Sequence, residues 1–379
     1  MKHRNAWFLR TAILLAVLLW GSSSRTVSAQ EEKYDKQDVN FSTSDNVELQ
    51  GVLYKTKKPG PQPCIILLHS PTVAGNKGSA HGDWDGLAKT LAGDFNVLRF
   101  DFRGHGKSDL IKSKTDFWGN LVNQKFFPRE ARKQPQPESL KSVDYIQKNN
   151  NYHPYLPMLV NDIMAARIFL DAKNDAGDLN TSTIYLIGAG DAASLGFLYL
   201  LAEWDRPQVA QPGVNISRLP LSRVDLFNIK GRPEWAGKDI AGAIWLSAEY
   251  PEGYMNTTFF QNVVKLKTDL RDSNKMLFLY GADDNTRTGK KGSDGFFNKV
   301  LVAEGNRALR VDPIRMTKMI AIPKTKLSGV DLLGKDIGTE KEIVKYLKDM
   351  ETDRKVVARI TRNYTTTPYV DPVQYGVIK

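Results

Sequence analysis

The chain has 379 residues, with 53 Lys and Arg against 42 Asp and Glu, a net charge of +11 and a single cysteine. That length supports a large hydrophobic core, and a lone cysteine excludes a fold held by internal disulfides. The basic residues are scattered, with runs no longer than KTKK and TGKKG, so a solvated surface explains them better than a nucleic-acid-binding stripe does.

The first residues read as an address. Lys2, Arg4 and Arg10 flank the apolar run TAILLAVLLW, and the small residues Val27-Ser28-Ala29 offer a cleavage site before Gln30. The pattern is that of a secretory signal peptide over residues 1–29. The apolar run is too short to cross a bilayer, so no stable membrane span is expected after cleavage. The mature chain is therefore expected to be exported, periplasmic or extracellular. With Lys2, Arg4, Arg10 and Arg25 gone, its charge is about +7. Cys64 lies in PCIILLH, a buried-strand pattern, and reads as a small core residue.

Beyond the leader, VNFSTSDNVELQGVLYKT alternates polar and apolar residues around Asp45-Asn46, which predicts an antiparallel hairpin. PCIILLH and FNVLRFDF are continuous apolar runs, as in strands buried on both faces, and DWDGLAKTLAG between them has helical spacing. Residues 111–156 break the rhythm. They are polar with prolines and asparagines, and their aromatics predict packing against the body. LPMLVNDIMAARIFLDAK predicts an amphipathic helix. TSTIYLIGAGDAASLG reads as a strand, a glycine turn and a helix start. A second polar excursion spans about residues 204–238. Further strands are predicted in IAGAIWLSA, KMLFLYGADD and TKMIAIPKTKL, and a closing helix in TEKEIVKYLKDM with Thr339 as N-cap and Glu342 three residues on. Strand and helix alternation predicts an α/β fold, a mostly parallel sheet with helices on both faces. The expected organisation is one domain over residues 30–353 carrying the two insertions, with a tail over 354–379. No zinc-ligand spacing, P-loop, dinucleotide fingerprint or internal repeat occurs, so no metal or cofactor is expected.

Five stretches in this order resemble the α/β-hydrolase family, in the form of a secreted bacterial-type member. ILLHS is similar to the strand that leads to the family's oxyanion loop. FDFRGHGKSD is similar to its D-x-R-G-x-G-x-S segment, LIGAGDAAS to its nucleophile elbow, LFLYGADD to the strand that delivers its catalytic acid, and KLSGVDLL to its H-G-x-x-L-L segment. The resemblance covers about residues 40–350. It implies the family fold and, in an intact member, hydrolysis by a nucleophile, an acid and a histidine in that chain order, assisted by backbone oxyanion donors.

Most of those parts are altered here. The elbow pattern G-x-S-x-G runs Gly188, Ala189, Gly190, Asp191, Ala192, so the nucleophile position holds glycine. A register one residue later would place Asp191 at the tip, as haloalkane dehalogenases use an aspartate there. The five histidines are His3, His69, His81, His105 and His153, none after residue 153, and the position of the family's histidine holds Ser328. A serine hydroxyl cannot replace imidazole as a general base. Asp284 matches the acid position, but without a histidine partner it reads better as a turn aspartate. The oxyanion region comprises His69, Ser70, Pro71 and Asp191. Asp191 keeps its backbone N–H, whereas Pro71 has none to give. The sequence therefore points to a hydrolase-fold protein that has lost triad catalysis and serves as a binding or structural module. The partner would be an unidentified small molecule or protein, not a nucleic acid. The alternative is an active hydrolase built on Asp191, with His69 or His105 as base.

Overall fold

The computed structural model describes residues 32–73, 75–126, 142–143, 152–250, 255–286, 289–302, 317–355 and 357–378. The signal-peptide expectation and much of the first insertion lie outside them.

Eight strands form one sheet: β1 (Tyr34–Ser42), β2 (Glu48–Thr56), β3 (Cys64–Leu68), β4 (Asn96–Phe100), β5 (Ile184–Ala189), β6 (Ile240–Leu246), β7 (Lys275–Gly281) and β8 (Lys318–Ile322). Their spatial order is β1-β2-β4-β3-β5-β6-β7-β8. β1 and β2 form the antiparallel hairpin, with Ser42 opposite Glu48 and Asn46 at φ 61 in the turn. β2 meets β4 antiparallel, and every pair from β4 to β8 is parallel. Helix α1 (Trp84–Leu91) crosses between β3 and β4. Helices α2 (Val160–Asp175), α3 (Ala192–Glu203), α4 (Thr257–Leu266) and α5 (Thr339–Arg354) supply the other main crossovers and the closing element.

The continuous apolar runs of the central strands are explained by two cores. Ile65, Leu67, Tyr185 and Ile187 point to one face, where Trp84 and Leu87 of α1 and Ile343, Tyr346 and Leu347 of α5 cover them. Cys64, Ile66, Leu68, Ile184 and Leu186 point to the other, under α2 and α3. Successive side chains of a strand alternate faces, so only a strand covered on both sides can be apolar throughout. Burial pushes the Cys64 thiol up to about 12, with Arg167 opposing the shift.

Two local expectations need correction. α2 is not amphipathic in the sense of having a wet face, since Asn161, Asp162, Arg167, Asp171 and Asn174 are all buried. Arg103 takes Asp162, and the C-terminal segment covers Asn161 and Asn174. Asn161 Nδ2 donates to Val370 O at 3.0 Å and Asn174 Nδ2 to Ile360 O at 2.9 Å. Arg167, Arg206 and Arg362 mesh with Asp171, Glu203 and Asp239 in a buried network joining α2, the second insertion and the tail. The N-cap of α5 is Gly338 at φ 91, not Thr339, which sits inside the first turn with its hydroxyl unpaired among the described residues.

The described part of the first insertion packs on the body through Phe117, Trp118 and Val122. The second insertion pairs Arg218–Leu219 with Tyr369–Val370 of the tail in a short parallel ladder.

Candidate functional site

The site lies at the carboxyl ends of β3, β5, β6 and β7, where ligands of open α/β sheets bind. Its centre is the turn from β5 into α3. Gly190 occupies the tip at φ 57, in the left-handed region that glycine enters without steric cost. Its N–H donates to Leu246 O at 2.9 Å, and its carbonyl accepts from Glu249 N at 3.0 Å, which stitches the turn to the end of β6. The following helix can start this close to the sheet because Gly196 faces Trp245: a Cβ there would lie 2.2 Å from the indole ring.

A side chain at residue 190 would enter a polar space. Its Cβ would meet Ser70 Oγ at 3.1 Å, Ser70 Cβ at 3.3 Å and Glu249 Oε2 at 3.9 Å. Asp191 is the helix N-cap at φ −70, so it stands one step past the tip. Its carboxylate is buried and accepts from Ser70 Oγ at 2.6 Å and from Thr72 N at 3.3 Å. Burial raises the Asp191 pKa. The hydrogen bonds from Ser70, from Thr72 and from its own backbone N–H pull the other way without cancelling it.

The histidines are occupied elsewhere. His69 Nε2 accepts from Phe102 N at 3.1 Å, so its proton sits on Nδ1, and burial together with His105 holds the ring well below the usual imidazole range. His105 bridges Arg103 O at 3.1 Å and Pro71 O at 2.8 Å, tying the glycine-rich turn after β4 to the loop after β3. Among the described residues no histidine meets the carboxylate of Asp191 or of Asp284. His81 lies in the segment before α1. His3 and the His153 side chain fall outside the described residues.

Asp284 is buried beyond β7. Its Oδ1 accepts from Thr286 N at 2.9 Å and from the Thr286 hydroxyl, closing a local turn, while Oδ2 lies against Gly289 with no hydrogen-bond partner among the described residues. Ser328 is half-buried at the start of the short 3-10 turn Gly329–Leu332. That loop is held to the end of β7, where Asp283 N donates to Thr325 O at 2.9 Å. Pro71 offers a carbonyl to the oxyanion region, and this carbonyl is already the partner of His105. Asp101 and Arg103 hold the scaffold. Asp101 accepts from Ser79 N at 2.7 Å, and Arg103 forks between Asp45 and Asp162 in the interior.

Sequence reasoning missed Glu249. No pattern marks it, because it comes to the elbow through a backbone contact between β6 and the turn, a long-range feature. Ser70 was assigned to the oxyanion region, but not as the group that fills the space over residue 190.

The strand order and the strand–turn–helix elbow define an α/β-hydrolase fold. Solved structures similar to this chain include an esterase of Pyrococcus furiosus, 16% identical over 83% of this chain and 91% of that one with a TM-score of 0.45. A thermophilic carboxylesterase, EstE1, from a metagenomic library is 12% identical over 84% and 88% with a TM-score of 0.44. A dienelactone hydrolase of Anabaena variabilis is 10% identical over 85% and 98% with a TM-score of 0.40. No protein-family model matches the sequence, and no curated protein matches it. The assignment of fold rests on the sheet order and elbow of this chain itself.

Proposed function

We propose that this chain is an exported binding protein on a hydrolase scaffold, without Ser-His-Asp catalysis. The observation that carries the reading is Gly190 at the tip of the elbow, where an attacking side chain would have to stand. The acid position supports it, since Asp284 is engaged with Thr286 and not with an imidazole. So does Ser328 in the base position and Pro71 in the oxyanion loop. Ser70 Oγ and Glu249 Oε2 lie around the space over Gly190, oxygens whose chemistry suits a ligand that donates hydrogen bonds. The alternative, Asp191 as nucleophile, finds less support. Its carboxylate is held by Ser70 and Thr72, and among the described residues no imidazole is bonded to it.

The test is a turnover assay with chromogenic acyl esters beside a thermal-shift screen of small polar ligands. Absence of turnover together with a stabilising ligand that loses effect in Glu249→Ala supports the reading. Ester turnover abolished by Asp191→Asn overturns it.

A further inference from the structure

The second insertion carries a feature unrelated to the elbow. Its helix, Arg223–Asn228, begins with a reciprocal cap in which Ser222 Oγ accepts from Asp225 N at 3.1 Å and the Asp225 carboxylate accepts from Ser222 N at 3.2 Å. Leu221 before the helix and Ile229 after it are buried in the main core, and Arg218–Leu219 is laddered to the tail. This is a firmly held element, yet no residue of the helix itself is buried. Val224 is 69% exposed, Leu226 47% and Phe227 75%. Val224 and Phe227 are three apart and share a helix face. Three apolar side chains on one helical turn, fixed at both ends and turned outward, form a protruding apolar tip. Scattered single exposures need no explanation, but a built cluster does.

The charges around the tip are of one sign. Arg223, Lys230 and Arg232 are exposed, and among the described residues no acid pairs with any of them. The Arg223 guanidinium lies 5.5 Å over the Phe227 ring. Of the nearby acids, Asp225 is turned back into the cap and Glu234 is engaged by Lys238. An apolar tip within a basic collar matches the interface of an anionic bilayer, where aromatic and aliphatic groups enter the headgroup boundary and cations meet lipid phosphates. A protein partner would be better served by a patch with packing around its anchors, whereas Val224 and Phe227 are mostly exposed on a short helix with no buried residue.

We infer that the Arg223–Asn228 helix is a docking element for an anionic membrane surface, with Val224, Leu226 and Phe227 entering the headgroup boundary and Arg223, Lys230 and Arg232 meeting the phosphates. This goes beyond the elbow reading and does not depend on it.

The experiment places an environment-sensitive fluorophore on the full chain through Asn228→Cys. Cys64 is fully buried and leaves the introduced thiol as the reactive one. Because the probe sits beside Phe227, it reports this helix and not the apolar N-terminal run. Titration with vesicles of phosphatidylcholine containing phosphatidylglycerol is expected to give a blue shift that weakens with salt and is absent on pure phosphatidylcholine. Val224→Ser with Phe227→Ser, and separately Arg223→Gln with Lys230→Gln and Arg232→Gln, should each weaken it about tenfold or more. Both sets lie on the surface, and melting curves check that each variant is folded. No shift on anionic vesicles, or a shift unchanged in the apolar variant, overturns the inference. So does a shift that grows with protein concentration in the absence of lipid, which would make the helix an interface between copies of this chain.

Discussion

Replacing Gly190 by serine restores the missing hydroxyl and should still give no esterase. The cost of the change can be worked from the structure. At φ 57 a residue with a Cβ sits in left-handed helical space, which costs about 1–2 kcal/mol. The new Cβ would also press on Ser70 Oγ at 3.1 Å and Ser70 Cβ at 3.3 Å, and Ser70 is held in place by Asp191. The sum is a loss on the order of 2 kcal/mol, or about 4 °C in Tm for a large domain. The new hydroxyl would have no base, so it would keep its proton. It would have one oxyanion donor fewer than usual, a defect worth about 10²–10³ in rate by itself. A triple variant, Gly190→Ser with Ser328→His and Pro71→Gly, addresses all three defects, with Asp284 as the carboxylate to orient the new imidazole. The assay is turnover of a chromogenic acyl ester by wild type, single and triple variants, with thermal melts alongside. The expected result is background turnover for wild type and for Gly190→Ser, with weak activity confined to the triple variant. Turnover by Gly190→Ser alone would refute the reasoning, because it would mean that a base reaches the elbow.

Asp191→Asn should raise Tm near neutral pH. The folded pKa of Asp191 is raised, so its stabilising share is lost as pH climbs from the ordinary carboxylate range through the folded value, and the advantage of the variant should shrink on acidification. A melting series from pH 4 to 8 that shows the opposite trend would refute this. Asp171 has the other sign: burial works against the charge, but Arg167, Arg206 and Arg362 outweigh it and depress the pKa, so its stabilisation is lost as pH falls through the folded value. Asp239→Ala should cost about 3–5 kcal/mol by denaturant unfolding, since Arg167 and Arg362 would each lose a buried partner. Cys64 should resist thiol reagents in the native protein and react on unfolding, being buried with its pKa pushed up to about 12.

The sheet was legible because its signal is local. Runs such as CIILL and IYLIGA are apolar at every position, a pattern that a two-faced core requires and that a half-exposed strand does not show. The elbow was legible for a related reason, since a glycine between an apolar strand and a small-residue helix start needs no distant partner to make sense. α2 was misread because its polar residues look solvated until the tail is known to lie over them. Nothing in VNDIMAARIFLDAK says that Asn161 will bond Val370, more than two hundred residues away. Thr339 was a fair N-cap by residue type, but Gly338 reaches φ 91 at less cost and takes the position. Glu249 and the basic apolar helix at 223–228 were out of reach for the same reason as the tail contacts, being products of tertiary placement.

The two carboxyl groups of the site differ in a way that bears on function. Asp284 is satisfied on one oxygen by its own turn, a role that a turn aspartate fills in any loop. Asp191 is different. It is buried, its charge is disfavoured there, and what holds it is the loop after β3, through Ser70 and Thr72. Asparagine would avoid the penalty of a buried charge but could accept only one of these two hydrogen bonds, its NH2 being a donor. Position at the start of α3 eases the penalty, because a helix N-terminus favours an anion. Under the proposed function this carboxylate, one hydroxyl away from the space over Gly190, would bias which ligands Ser70 can meet. If the Ser70 hydroxyl turned away from Asp191, Thr72 N would remain as a donor and the raised pKa of Asp191 would rise further. A ligand that accepts from the Ser70 hydroxyl would therefore favour the protonated form of Asp191, whereas one that donates to Ser70 would leave that bond in place.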